Sequence, residues 1–513
     1  MDRNLTDAVA RDRGFRAGLL RASVTRLRCN KFTISVALLC LLAALTAVGP
    51  LYRATFLAEI DRNEGWVAYH VDAITKGLPL YPAPDQLITN NYPPLFYYIT
   101  AAVTHFTGNA IYAGRALAFV ALLAVVLEIY FILRLLAVRR LFSAVAALAF
   151  FATLCRLFDG KVAVNDPQLM AHAVMLLGLC CFLWERTAKS RWSWPSAALM
   201  VTAGFIKHNL IAVPLSTFAL LLWEDRGRAI RFAIVGAGFA LTGLGICVAV
   251  YGSDFIYNMF SPRPYHWARG FKALEDLHRV PVQFLLWLWF ALTVADGRRG
   301  RIINVLCATA LMESFLVRGG EEVDKNAGFD LVIALHLALG VALERADALR
   351  VPRISHLSTV GLRTAAIGIL TVRLLFGEPM DSFNVLYNPA MADWYRQAER
   401  ATAEEAKRIS TIPGAVYCDS PLLCYLAGKE FAVDSVNLGF RIGTGRVSCD
   451  VVRRQLASGL LTYVPAINAN LRPYRLEPEE PGREHSLEAL RKFLKPFGTY
   501  LSPPSTSIFC QSS

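Results

Sequence analysis

The sequence predicts a polytopic α-helical membrane protein, with about eleven transmembrane helices and a small C-terminal α/β domain on the extracytoplasmic side. Hydrophobic residues make up 55% of its 513 residues and charged residues 18%, and the mean hydropathy is +0.40. Apolar runs of roughly twenty residues, as transmembrane helices require, are separated by short basic tracts. This composition excludes most soluble classes, and it excludes disorder over most of the chain.

The first apolar run, 32–52, follows an N-terminal segment, 1–31, that carries eight basic residues. The run is longer than the hydrophobic core of a signal peptide, and no convincing small-residue cleavage site follows it. We therefore predict that 32–52 is the first span and that the basic N-terminus lies in the cytoplasm.

Ten further apolar runs complete the predicted membrane domain, 32–376. With the N-terminus inside, every loop assigned to the inner side is basic, as the positive-inside rule requires. These loops also account for the net charge of +13, so no nucleic-acid partner is expected. The ten runs are 113–137, 141–155, 168–184, 195–206, 209–223, 232–251, 281–295, 302–317, 330–344 and 358–376.

The apolar segment 92–106 is predicted to lie along the membrane surface and not to cross. It opens with Tyr92, Pro93 and Pro94, and proline is well tolerated in a first helical turn. The segment is short for a span, and counting it as a crossing would place every later basic loop outside.

The outer side then receives four loops and the whole C-terminal tail. In the tail, helix-like stretches alternate with short apolar stretches such as 415–417 and 461–464, which predicts an α/β domain. The outer segments are 53–112, 156–167, 252–279, 318–329 and 377–513.

Four cysteines lie in this tail, in a compartment predicted to be oxidising, so disulfides are expected there. Their spacing does not match that of a structural zinc site. They are Cys418, Cys424, Cys449 and Cys510.

Two acids, Asp61 and Glu64, follow the first span directly. For any one loop acid the alternative is a solvated surface group. A longer string continues from them: Asp61-x-x-Glu64-Gly65, then Gly77-x-Pro79-x-Tyr81, then Tyr92-Pro93-Pro94-Leu95.

This string resembles the first outer loop of the GT-C superfamily, polytopic glycosyltransferases that use lipid-phosphate-linked sugars. The branches it is most similar to are the bacterial aminoarabinose transferases and the protein O-mannosyltransferases. The resemblance covers roughly residues 30–220. It implies that a first-loop carboxylate is the catalytic base. The superfamily has an adjacent Asp-Glu pair, whereas here the acids stand three apart, so we assign Asp61 as the base with Glu64 as the alternative.

Asp166, next to Asn165 and just before the span at 168, has two interpretations. It is either a helix N-cap or the second acidic position of the superfamily, which helps to organise the active site. In some members this position coordinates a divalent metal ion. The resemblance therefore leaves open whether Asp61 and Asp166 hold such an ion, and no other cofactor is expected.

Basic and polar residues in the outer turns are candidates for binding the donor and the acceptor. A cation at membrane depth favours an anionic ligand, here a polyprenyl phosphate; a snorkelling lysine is the alternative at position 207. The expected phosphate-binding residues are Lys207, His208, Arg263, His266 and Arg269. The expected acceptor or sugar contacts are Asn165, Tyr92, Asp324 and Asn326, although a solvated turn is the alternative for the last two.

Taken with the resemblance, these features predict an inverting glycosyltransferase of a bacterial cell membrane. It would move a hexose or pentose from a polyprenyl-phosphate donor to a lipid, glycan or protein acceptor on the extracytoplasmic side. The alternatives are a polytopic transporter or flippase, which usually shows internal repeats, and a sugar-polymer ligase acting on lipid-linked glycans.

Overall fold

The computed structural model describes residues 31–187, 194–294, 297–346, 359–376, 381–448, 450, 454 and 461–464. The predicted cytoplasmic N-terminus, apart from its last residue, and the tail beyond 464 lie outside these residues. The described chain is mostly helical. Its membrane region contains α1 (Lys31–Ala54), α2 (Asn63–Thr75), α3 (Leu95–Thr107), α4 (Ala110–Leu135), α5 (Arg140–Leu157), α6 (Gln168–Thr187), α7 (Trp194–Ile206), α8 (Ala212–Glu224), α9 (Arg226–Met259), α10 (Ala273–Leu277), α11 (Pro281–Thr293), α12 (Gly297–Arg318), α13 (Phe329–Glu344) and α14 (Thr359–Phe376).

Each of the eleven predicted spans coincides with one of these helices, namely α1, α4 to α9 and α11 to α14. Among the described residues, seven helical segments are long and apolar enough to cross a membrane, and they contain α1, α4, α5, α6, α9, α12 and α13. Helices α7, α8 and α11 have 13 residues each, or about 20 Å, which is shorter than a hydrocarbon core of about 30 Å. The chain is a multi-pass membrane protein.

Two helices differ in length from the apolar runs that predicted them. The surface segment predicted at 92–106 forms α3, which has 13 residues and ends at Gly108 in the left-handed conformation. The span predicted at 232–251 continues as α9 to Met259, through a kink at Gly252, where φ is +67°. The helical segment beyond Gly252 belongs to the stretch predicted as the third outer loop, 252–279, and the kink lies at the first residue of that stretch. Hydropathy could not locate the end of α9, because the kinked segment beyond Gly252 is polar as well as helical.

The helices surround α13, whose candidate span is 94% buried, whereas the span in α9 is only 6% buried. A helix that is apolar on all sides and enclosed by protein forms the centre of a bundle. A helix that is apolar and uncovered is stabilised by lipid. Helix α13 is therefore the central helix, and α9 lies at the periphery.

The predicted inner and outer loops gather at opposite ends of the bundle. A small cavity is lined by basic residues from three of the predicted inner loops, namely Arg186, Arg298, Arg299 and Arg345. A much larger cavity is lined by Gln168 and Arg318, which stand at the other ends of α6 and α12. The structure thus sorts the helix ends into the two sets that the charge pattern predicts.

The C-terminal part is a small α/β unit, as predicted. Strands β1 and β2 pair in parallel, with Ala415 opposite Leu461. Cys418 and Cys424 form a disulfide, whereas Cys449 and Cys510 lie outside the described residues. The elements are α15 (Asp381–Tyr387), α16 (Pro389–Ser410), β1 (Ala415–Cys418), α17 (Pro421–Leu426), α18 (Ser435–Gly443) and β2 (Leu461–Val464).

This unit packs directly on the segment predicted as the first outer loop, 53–112. The indole of Trp66 in α2 donates a hydrogen bond of 2.9 Å to Asp434. Arg441 in α18 is 1% exposed and donates to the carbonyl groups of Pro84 and Gln86. Because buried polar groups are costly unless they are paired, these bonds fix how the tail sits on the loop.

Gly65 sets the distance between α2 and α17, because a Cβ added there would overlap the backbone of Pro421 and Leu422. We expect Gly65→Ala to destabilise this contact by about 1–3 kcal/mol, the usual cost of overpacking. Thermal unfolding in detergent, together with limited proteolysis of the tail, measures the effect. Gly204→Ala in α7 is the control, because its Cβ meets open space. Equal stability of the two variants would contradict the close approach.

Candidate functional site

A cavity of about 1270 Å³ lies where the predicted outer loops meet the C-terminal unit. Its walls come from the segment before α2, the α7–α8 turn, the α9–α10 loop (260–272), the α12–α13 loop (319–328) and the elements β1, α17 and α18. The second outer loop reaches it through the ion pair that Lys161 makes with Asp61. All of the predicted outer segments therefore converge on one site.

Asp61 lines the cavity and is 8% exposed. One carboxylate oxygen accepts a hydrogen bond of 2.9 Å from the backbone N–H of Asn63, at the start of α2. The other pairs with the ammonium group of Lys161. Lys161 also lies 2.7 Å from Asp324 Oδ2 of the α12–α13 loop. A single buried lysine thus joins carboxylates from the first and fourth outer loops.

Glu64 lies behind the cavity wall, in the first turn of α2, and is fully buried. It forms a two-point ion pair with Arg115 of α4, with both N–O distances at 2.7 Å. Arg115 also donates to the carbonyl groups of Phe56 and Ala58, at 2.6 and 2.7 Å. Because its oxygens are occupied by these partners, Glu64 fixes the chain that precedes α2 and does not reach the cavity.

The pair predicted at the second acidic position also lies behind the wall. Asn165 is fully buried against Gly114 and donates to the Glu64 carbonyl group. Asp166 accepts a hydrogen bond of 2.8 Å from the backbone N–H of Gln168 at the start of α6, as an N-cap does. The amide of Asn326, which does line the cavity, lies 3.5 Å from the same Asp166 oxygen.

Basic side chains form part of the cavity wall. The ammonium group of Lys207 lies 3.7 Å from the centre of the Tyr92 ring, a cation–π contact. Four of the five predicted phosphate-binding residues line the cavity, whereas His266 does not. The backbone of His266 instead donates to Gly319, at 2.9 Å, and so joins the α9–α10 and α12–α13 loops. The basic residues in the lining are Arg62, Lys207, Arg263, Arg269, Lys272 and Arg318.

Acidic and polar groups also line the cavity. Glu59 lies beside Ser420 of the C-terminal unit, and one of its carboxyl oxygens is out of contact with solvent and has no hydrogen-bond partner. Burial raises the pKa of Glu59 to about 7, although the neighbouring Ser420 and Arg62 act in the opposite direction. Near neutral pH, this carboxyl group is therefore able to donate as well as accept a hydrogen bond.

We expect Glu59→Gln to be more stable than the wild type above pH 7, with the difference vanishing as the pH falls toward 4.5. The pKa of Glu59 is raised from 4.5 to about 7 in the fold, so the wild type loses stability as the pH rises through that interval. Thermal unfolding at a series of pH values measures this, and the exposed Glu275→Gln controls for loss of a charge. A constant difference from pH 4.5 to 7.5 would contradict the assignment.

Lys161 engages the carboxylates at the cavity. It pairs with Asp324 and with Asp61, which also accepts the Asn63 N–H. Asp166, behind the wall, caps α6 through one oxygen, whereas its other oxygen is buried without a hydrogen-bond partner. In the part of the chain that the structure describes, no group of three or more His, Cys, Asp or Glu residues is arranged to hold a metal ion. The donor set around Asp61 therefore does not fit a divalent ion.

Sequence reasoning missed Lys161, Arg115 and the lining contributed by the C-terminal unit. Lys161 lies in a three-residue 3₁₀ turn, Asp159–Lys161, and the available signal was a charged turn between two apolar spans. Arg115 stands in the second turn of α4, at the edge of an apolar run. A charge in that position signals a buried partner, but the sequence does not identify the partner.

In sequence comparisons, no family model and no curated protein matches the chain. Two solved structures of ArnT from Cupriavidus metallidurans, an aminoarabinose transferase, are similar to it. The form bound to undecaprenyl phosphate is 16% identical, with 82% of this chain and 80% of that chain covered and a TM-score of 0.46. The apo form is 15% identical, with 83% and 80% covered and a TM-score of 0.45.

The apo oligosaccharyltransferase of Archaeoglobus fulgidus is also similar, at 11% identity, with 78% of this chain and 64% of that chain covered and a TM-score of 0.42. Both enzymes are GT-C superfamily members, the superfamily whose first outer loop the sequence resembles. Because all three TM-scores are below 0.5, the function proposed for this chain rests on the residues of its own cavity.

Proposed function

We propose that the chain is an integral-membrane glycosyltransferase that moves a sugar from a polyprenyl-phosphate donor to an acceptor. One observation carries this proposal: the same cavity is lined by a buried carboxylate, Asp61, and by a set of basic groups. Transfer from a lipid phosphate needs a base for the acceptor and cations for the departing phosphate.

The donor phosphate would bind the basic wall. Lys207 lies in the turn between two apolar helices, and Arg263 and Arg269 lie in the α9–α10 loop. Cations at this level attract a phosphate at the membrane surface while the polyprenyl chain stays in lipid. The exposed apolar face of α9, which precedes this loop, provides a surface along which such a chain can lie.

Asp61 would accept the proton of an acceptor hydroxyl group. The hydroxyl oxygen then attacks the anomeric carbon, the bond from that carbon to the phosphate oxygen breaks, and the phosphate leaves with its electron pair. A single displacement of this kind inverts the anomeric configuration. Arg263 and Lys207 would stabilise the negative charge that develops on the phosphate. Glu59 and the lining residues of the C-terminal unit would contact the acceptor.

The cavity would face the extracytoplasmic side, in the cell membrane of a bacterium. The disulfide between Cys418 and Cys424 supports this orientation, because disulfides persist in oxidising compartments. The basic cavity at the other end of α6 and α12 supports it too, because arginine-rich loops stay in the cytoplasm. The transferred sugar would be a hexose or a pentose, and the acceptor would be a lipid, a glycan or a protein.

The test is transfer by the purified protein in lipid nanodiscs, with a panel of polyprenyl-phosphate sugars labelled in the sugar. A membrane extract supplies the acceptor. We expect one of the donors to be cleaved to free polyprenyl phosphate and its labelled sugar to appear on an acceptor. A flippase or transporter would instead move its cargo across proteoliposomes with the bond to phosphate intact. That outcome, with no donor cleaved, would overturn the proposal. A ligase would use a lipid-linked polymer but none of the single-sugar donors.

A further inference from the structure

Lys161 occupies the place between the cavity carboxylates that a bridging cation would take. The backbone of its turn is fixed, because the Lys161 N–H donates to Phe158, at 2.8 Å, and the Val162 N–H donates to Asp159, at 2.9 Å. Its side chain is 3% exposed and pairs with both Asp61 and Asp324. A long side chain held in this way presents its charge at one defined point.

The surrounding carboxylates keep this lysine charged. Burial alone lowers the pKa of a lysine, but Asp61, Asp324 and Asp166 together raise the pKa of Lys161 above its ordinary value. Within the ion pair of Lys161 and Asp324, each charge also favours ionisation of the other group. Although burial raises the pKa of Asp324, the ammonium group of Lys161 lowers it to about 2. Both partners therefore stay ionised over the physiological range.

Lys161 also links the base to the phosphate-binding wall. Asp324 belongs to the α12–α13 loop, which is bridged to the α9–α10 loop where Tyr265 pairs with Gly320. The Glu321 N–H donates to Pro264, at 3.0 Å, and strengthens this junction. Arg263 directly precedes Pro264 in the chain. The ammonium group of Lys161 therefore connects Asp61 with the loop junction that carries Arg263.

On the basis of the function proposed above, we infer that Lys161 is a built-in cation that replaces a divalent metal ion at this site. It holds Asp61 in position beside the sugar-binding space, and it ties the loop that carries Asp324 to the same point. Lys161 is a positioning residue, because its ammonium group is enclosed by the two carboxylates. Transfer by this chain then requires no divalent metal ion.

The first test measures metal binding and needs no activity. Purified wild type is titrated with Mn²⁺, and bound ion is followed by electron paramagnetic resonance. The inference expects no stoichiometric binding at the cavity. One bound equivalent of Mn²⁺ that Asp61→Asn abolishes would overturn it. Because this readout does not depend on sugar transfer, its result stands even if the proposed donor proves wrong.

The second test uses Lys161→Ala and an added amine. The variant is expected to lose transfer at least about 100-fold, in line with the loss of one preorganised electrostatic group. Ethylammonium should restore part of the rate, and Lys161→Arg should retain part of it. Lys76→Ala, at an exposed lysine just after α2, should match the wild type. Wild-type transfer that stops on chelation and resumes with Mn²⁺, or a folded Lys161→Ala with the full rate, would overturn the inference. If Lys161→Ala fails to fold, the inference is tested by the effect of chelation on wild-type transfer and by the Mn²⁺ titration of the wild type.

Discussion

Asp61→Asn is expected to reduce sugar transfer by about 10²–10⁴-fold, the usual contribution of a positioned general base. The amide has nearly the same shape as the carboxylate, and its oxygen can still accept the Asn63 N–H bond that Asp61 accepts. It cannot take a proton from the acceptor. The loss should therefore appear in kcat, measured as release of polyprenyl phosphate, with donor binding retained.

Asp72→Asn is the matched control for this change. Asp72 belongs to the same outer loop region and pairs with Lys76 and Tyr425, outside the cavity lining. Its variant should transfer sugar at close to the wild-type rate. If Asp61→Asn remained folded and kept the full rate, Asp61 would not be the base.

Arg115→Met is expected to lower the free energy of unfolding by about 3–5 kcal/mol, because it leaves a buried carboxylate without its counter-ion. Arg115 and Glu64 have side chains only 2% and 0% exposed. The variant also releases the carbonyl groups of Phe56 and Ala58, which shape the segment leading to Asp61. Thermal and denaturant unfolding in detergent measure the loss.

Arg139→Met is the control for an exposed ion pair. Arg139 pairs with Glu344 at 3.0 Å, but its own side chain is 59% exposed. Such pairs contribute about 0–1 kcal/mol, so little change is expected. Equal stability losses in the two variants would show that burial of the Arg115 pair is not what stabilises the loop.

Most of the fold could be predicted from the sequence, because apolar length and loop charge act over whole segments. The parity of the basic loops predicts that 92–106 does not cross the membrane. The segment forms a helix of 13 residues, the same length as α7, α8 and α11. The short strands were predictable for a similar reason: 415–417 and 461–464 are apolar runs bounded by turn residues, and they pair in parallel. The end of α9 was not predictable from hydropathy. The apolar run ends before Gly252, but a polar helical segment continues past the kink there to Met259.

The loops that form the candidate site could be predicted from the sequence, but the role of each residue in it could not. Glu64 stands three positions after Asp61, and spacing alone does not decide between them. The difference arises because α2 begins at Asn63. Asp61 precedes the helix and faces the cavity, whereas Glu64 in the first turn faces inward to Arg115. That contact joins two helices distant in sequence, so only the folded chain reveals it.

The most direct test of the central claim is photo-crosslinking of a polyprenyl phosphate that carries a diazirine on the isoprene unit next to the phosphate. In nanodiscs, the proposed cavity predicts labelled peptides from 259–275 and 316–327, suppressed by unlabelled polyprenyl phosphate and weakened in Lys207→Met. Labels confined to the lipid-facing part of α9 before Gly252, and unchanged by the competitor, would show that the cavity does not receive the donor.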